Sequence, residues 1–139
     1  MTYLPTKDNV IVRNFLSGVA STQQVLVDAL RAGSLYWDPA AQYGQTGSVF
    51  LYVLLETSNA ANAAFARVFQ RTGAGSPQAI GTAVTTTSLV PTLVSVDLSA
   101  VFAHGGTAVA GVYDLQVYLA VNDRTTVAVC SGAWLEITR

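Results

Sequence analysis

Ten consecutive residues, Ser48-Val-Phe-Leu-Tyr-Val-Leu-Leu-Glu-Thr57, are apolar on both sides of an extended chain. Alternation puts Val49, Leu51, Val53 and Leu55 on one side and Phe50, Tyr52 and Leu54 on the other. The run is rich in β-branched and aromatic residues and has the length of a strand, so it reads as a strand that needs cover on both faces. A second sheet can cover one face. The other needs a loop, a symmetry mate or a larger particle. The 139 residues suffice for one domain with a sizeable core, and length alone does not ask for two.

Charge is scarce. Asp, Glu, Lys and Arg make up 11% of the chain, against roughly 25% in a typical soluble domain, and Lys7 is the single lysine. A free monomer ordinarily carries more charge than this. The surface is therefore expected either to face protein or to be the Thr-, Ser- and Gln-rich exterior of a robust secreted β-domain. The net charge of -1 and the scattered arginines argue against nucleic acid as a partner, because that polymer is held by clustered cations. No stretch reaches the ~18 consecutive apolar residues of a membrane span. The first ten residues lack the basic and apolar regions of a signal peptide. One cysteine, Cys130, excludes an internal disulfide, fits assembly in a reducing cytoplasm, and reads as a small buried hydrophobe.

Residues 1–9 are polar and interrupted by Pro5, so they read as an extended N-terminal arm ahead of a single domain at 10–139. Asn9–Leu16 is a plausible first strand. Ser21–Gly33 carries both a capping-box start with helical spacing and an alternation of Val25, Val27 and Ala29, and we favour strand. Asp38–Gly47 is a Pro- and Gly-containing loop. Ser58–Arg71 is a helix by propensity, or else a polar turn at Ser58–Asn62 followed by a strand with Phe65, Arg67 and Phe69 on one side. Thr72–Gln78 is a loop, and Ala79–Thr85, Val90–Leu98 and Val112–Val121 are strand-like. In the last of these Tyr113, Leu115, Val117, Leu119 and Val121 share a face opposite Asp114 and Gln116. Asn122-Asp-Arg124 is a compact turn into Thr126–Thr138, so the two long strands are expected to form an antiparallel hairpin. Trp134 is expected in the core with Cys130 and Ala128. About eight strands at this spacing make an all-β protein, an antiparallel β-sandwich of jelly-roll type.

From Ser48 onward, over about two-thirds of the chain, the order of signals resembles jelly-roll modules found in phage structural proteins and in bacterial carbohydrate-binding domains. The residues that carry the likeness are Glu56-Thr-Ser-Asn59, Ala63-Ala-Phe-Ala-Arg-Val-Phe69, the Thr-rich Thr82–Thr87, Pro91–Val94, and a Tyr-rich strand with a short turn after it. The first forty-odd residues do not match. The resemblance decides Ala63–Phe69 in favour of strand. It carries over no functional residue, and it implies two kinds of function, particle architecture and glycan binding.

No reactive constellation is visible. His104, the only histidine, sits in Ala103-His-Gly-Gly-Thr107 without a Gly-x-Ser-x-Gly elbow to accompany it, so no catalytic residue is assigned. The carboxylates are isolated in sequence; Glu56 is expected to pair with an arginine such as Arg67 or Arg71. One Cys and one His make a transition-metal site improbable, no Asp-x-Asp-x-Asp spacing supports calcium, and no cofactor is expected. Trp37 and Tyr43 flank a loop and are candidates for stacking on a sugar or docking on a partner. The competing reading is that Tyr36 and Trp37 end a strand and close one end of the core. Tyr3 and Leu4, in the arm, are candidates for lying across a neighbour.

Taken together, these residues predict a non-enzymatic particle protein, a capsid decoration or minor capsid subunit in the virion, assembled in the host cytoplasm. Its expected partners are other copies of itself, as a trimer, and a major capsid protein. The alternative is a carbohydrate-binding module or receptor-binding fibre domain.

Overall fold

A computed structural model describes residues 10–15, 19–21, 30–38, 47–71 and 78–138. The strands are β1 (Val10–Asn14), β2 (Val19–Ser21), β3 (Leu30–Trp37), β4 (Ser48–Thr57), β5 (Ala64–Gln70), β6 (Gln78–Thr86), β7 (Thr92–Asp97), β8 (Gly111–Leu119) and β9 (Ala128–Thr138), with a short helix α1 (Ser99–Phe102) before β8. Pairing is nested and antiparallel throughout: β5 with β6, β4 with β7, β3 with β8, and β1 and β2 with β9. Such nesting is one long ribbon folded back between β5 and β6 and rolled so that its rungs fall in two sheets. The cross pairs β4·β9 and β5·β8 close the roll. One sheet runs β1-β9-β4-β7, with β2 also on β9, and the other runs β3-β8-β5-β6. This is the all-β jelly-roll sandwich expected from the spacing of apolar runs.

Two alternating strands face each other across the core. From β4 come Val49, Leu51, Val53 and Leu55, and from β8 Tyr113, Leu115, Val117 and Leu119, all fully buried. Each large aliphatic removed from water here is worth about 1.5–3 kcal/mol. One end is closed by aromatic edges: Trp37 meets Phe102 at 4.8 Å, and Phe102 meets Tyr113 at 5.1 Å. The helix that delivers Phe102 is anchored where Ser99 Oγ accepts the Val49 N–H at 3.0 Å. The other end is tied by polar groups. Asn62, almost wholly buried, donates to the Val121 carbonyl at 2.6 Å and accepts the Val121 N–H at 3.0 Å. Thr57 Oγ1 donates to the Asn62 carbonyl at 2.7 Å, so the β4–β5 turn and the β8–β9 turn are one hydrogen-bonded unit.

Several expectations change. The expected strand at Ala63–Phe69 is present as Ala64–Gln70, as the resemblance decided, and the turn at Ser58–Asn62 precedes it. Of Ser21–Gly33, strand is seen at Ser21 and from Leu30, and the rest lies outside the described residues. The expected β8–β9 hairpin does not form. The two strands belong to different sheets because each turns its apolar face inward and the faces pack against each other. Val121 falls past the end of β8 and is 60% exposed. Trp134 leaves the core. β9 carries a bulge, with Leu54 opposite Gly132 and Leu55 opposite Cys130, so Ser131 has no partner and the side-chain alternation reverses. Ala128 and Cys130 point inward before the bulge, and Ala133, Leu135 and Ile137 after it. A second irregularity lies opposite Ala66–Val68, at Gly81, whose φ of +63° favours glycine.

Candidate functional site

The reversal in β9 builds an aromatic surface on the outside of the β1-β9-β4-β7 sheet. Across β4, Phe50 lies between Asp97 of β7 and Glu136 of β9, Tyr52 between Ser95 and Trp134, and Leu54 between Leu93 and Gly132. The Tyr52 and Trp134 rings stack with centroids 5.8 Å apart and planes within 13°, and Phe50 stands 6.5 Å from Tyr52. Leu93 and Val12 flank them, each 50% exposed. The second apolar side of Ser48–Thr57 is therefore only half-buried: in the folded chain its cover is incomplete.

Charges on this face are all negative among the described residues. Glu56, Asp97 and Glu136 are present, no described side chain here is Lys or Arg, and none of the three carboxylates makes an ion pair with a described residue. The Ser99 hydroxyl and the Ser99 N–H, at 2.8 Å, hold the Asp97 carboxyl below the usual carboxylate range. Trp134 Nε1 donates to Glu136 Oε2 at 3.1 Å, fixing the indole against the strand.

The outside of the other sheet has a different character. Phe65 and Tyr118 stack at 5.3 Å, and burial pushes the Tyr118 hydroxyl up. Arg71 grips Asp114 through Nη2 at 2.7 Å and Nε at 3.2 Å, with the carboxylate almost wholly buried. Arg67 donates to the Gly81 carbonyl. The expected pairing of Glu56 with Arg67 or Arg71 is thus corrected: Glu56 lies on the opposite sheet, and both arginines are engaged on their own. Arg67 Nε and Gln116 Oε1, from residues opposite each other in β5 and β8, are buried without a hydrogen-bond partner.

Of the residues singled out from sequence, Trp37 is fully buried with its ring edge against Phe102. It closes the core and has no face to offer a sugar or a partner, which corrects its candidacy. Tyr3, Leu4 and Tyr43 lie outside the described residues. His104 is exposed in the segment after α1. Cys130 is buried, and its burial pushes the thiol up. Among the described residues no three His, Cys, Asp or Glu side chains gather as metal ligands. Sequence reasoning missed Phe50, Tyr52 and Trp134 as one surface. The signal was Ser131-Gly132 inside an otherwise apolar strand, a pattern that marks a bulge.

No protein-family model and no curated protein matches the chain. Among solved structures it is similar to the infectious bursal disease virus VP2 subviral particle, with a TM-score of 0.57 and 13% identity, over 94% of this chain and 32% of that one. The chain therefore spans about a third of the length of that neighbour. At this identity the likeness is one of fold, a β-rich domain of the kind described above.

Proposed function

We propose that the chain is a structural, non-enzymatic subunit of a viral or phage-like particle, a capsid decoration or minor capsid protein that stabilises a shell by contacts with its own copies and with a major capsid protein. The observation that carries the reading is the half-covered aromatic face of the β1-β9-β4-β7 sheet in a charge-poor jelly roll. A sheet face of this kind is the surface expected to disappear into an interface. The fold likeness to a particle-forming viral protein supports it. Standard interfaces bury ~1,600 Å² in total, and several such contacts made at once hold a subunit through avidity. On this reading the chain works as a trimer in the virion, is assembled in the host cytoplasm, and needs no cofactor, membrane or nucleic acid.

Sedimentation of the purified chain, followed by electron microscopy of the chain expressed with its neighbouring particle proteins, tests this. Trimers, or density on a shell, are expected. A chain that stays monomeric at about 100 μM and decorates no shell refutes the reading. The stacked Tyr52–Trp134 pair also favours the second reading, a glycan-binding or receptor-binding domain, because such a pair can carry a sugar ring. A glycan array with no hit, or Tyr52→Ala leaving a hit unchanged, would remove it.

A further inference from the structure

Half-buried aromatic rings beside carboxylates that have no cationic partner among the described residues select for one kind of visitor. Phe50 is flanked in register by Asp97 on one side and Glu136 on the other. The Trp134 indole occupies one oxygen of Glu136 and leaves the other without a partner among the described residues. Ring faces attract cations, and neighbouring carboxylates add a Coulomb pull in the same direction. An apolar or anionic partner would strip water from both carboxylates and return nothing, and a neutral donor would return less than a cation. Two copies of this face laid together would oppose like charges, which disfavours direct self-pairing through it.

We propose that this face docks a basic segment of another polypeptide chain, with arginine or lysine side chains lying over Phe50 and Tyr52 between Asp97 and Glu136. It rests on the particle reading and adds to it the chemistry of the partner. An extended segment suits the geometry: alternate side chains of a strand repeat every ~6.8 Å, the same interval that separates Phe50 from Tyr52.

The probe is the peptide acetyl-Gly-Arg-Leu-Arg-Gly-amide, compared with its citrulline analogue, which keeps the shape and drops the charge. Binding is read from tryptophan emission. Of the two tryptophans, Trp37 is fully buried, so Trp134 reports the surface. Saturable binding is expected with a Kd of about 1 mM, because a single short peptide lacks the avidity of a shell. The citrulline analogue should bind at least about fivefold more weakly, as should the parent peptide to Asp97→Asn/Glu136→Gln. Both replacements keep a carbonyl oxygen for the Ser99 N–H and the Trp134 N–H, so the fold is retained; Glu136→Gln alone, with a smaller loss, serves as the second variant. Equal binding of the two peptides, unchanged affinity in the double variant, or no saturation by about 10 mM overturns the proposal. So does a response to maltohexaose alone, which would make the face a sugar site. Failure here with assembly intact would leave the particle reading standing. Peptide binding by a chain that never assembles would do the reverse.

Discussion

Asn62→Ala should cost this protein about 2–3 kcal/mol. The side chain is 4% exposed and makes three hydrogen bonds: to the Val121 carbonyl at 2.6 Å, from the Val121 N–H at 3.0 Å, and to Asp123 Oδ2 at 3.2 Å. Each is worth about 1 kcal/mol net, and truncation loses all three. Val121 is 60% exposed, so water can reclaim its backbone groups, which keeps the total near that sum rather than above it. For 139 residues the unfolding entropy is about 290 cal/mol/K, so the loss lowers Tm by roughly 7–10 °C. Asn62→Asp discriminates further. It keeps the acceptor for the Val121 N–H but sets a second carboxylate against Asp123, so at neutral pH it should be less stable than the alanine variant. That gap should narrow as pH falls toward about 4, because burial and the Asp123 charge make the new carboxyl take up a proton in the folded state before it would in the unfolded one. Thermal and urea unfolding followed by circular dichroism measure both. An alanine variant within about 0.5 kcal/mol of the parent, or an aspartate variant more stable than alanine at neutral pH, would refute the view that Asn62 clasps the two turns.

Gly81→Ala should destabilise by about 1–3 kcal/mol, since its φ is +63° and an added Cβ would lie 2.5 Å from Leu98 Cδ2. Combined with Leu98→Ala it should lose less than the sum of the two single changes, and strict additivity in that cycle would speak against the clash. Asp123 is held well below the usual carboxylate range, first by the Thr126 hydroxyl and then by the Thr126 and Thr125 N–H groups. A depressed folded-state value gives stabilisation that is complete above the unfolded value of about 4 and fades as pH falls toward the folded one. Asp123→Asn should therefore flatten the acid side of the stability–pH curve below about pH 4, and an unaltered acid side would contradict the assignment. Trp37→Ala should cost about 3–5 kcal/mol and Trp134→Ala about 1 kcal/mol. Equal losses in urea titrations would mean that Trp134 is core after all.

The layered β architecture was legible because β4 and β8 state it in their alternation, and burial follows that alternation residue by residue in β4, whereas in β8 the polar Asp114 and Gln116 are buried as well. Which strands share a sheet was not. Local turn signals at Asn122–Arg124 point to a hairpin, but the apolar sides of β8 and β9 are better buried against each other than side by side, and that preference acts at long range. Trp37 was half-legible: its position at a strand end is plain from sequence, while its burial depends on Phe102, brought in by a four-residue helix too short to leave a periodic pattern. The aromatic surface escaped because one unpaired residue, Ser131, inverts everything after it, and strict alternation counted from Cys130 then assigns Trp134 to the wrong side.

Val10 stands directly opposite Thr138 in the β1·β9 ladder, so the backbone enters and leaves the roll about 5 Å apart. A host protein could accept this unit as a cassette in a surface turn without parting its own chain ends, and a brief glycine-serine bridge across the gap would let new termini be cut at the exposed His104–Gly105 position.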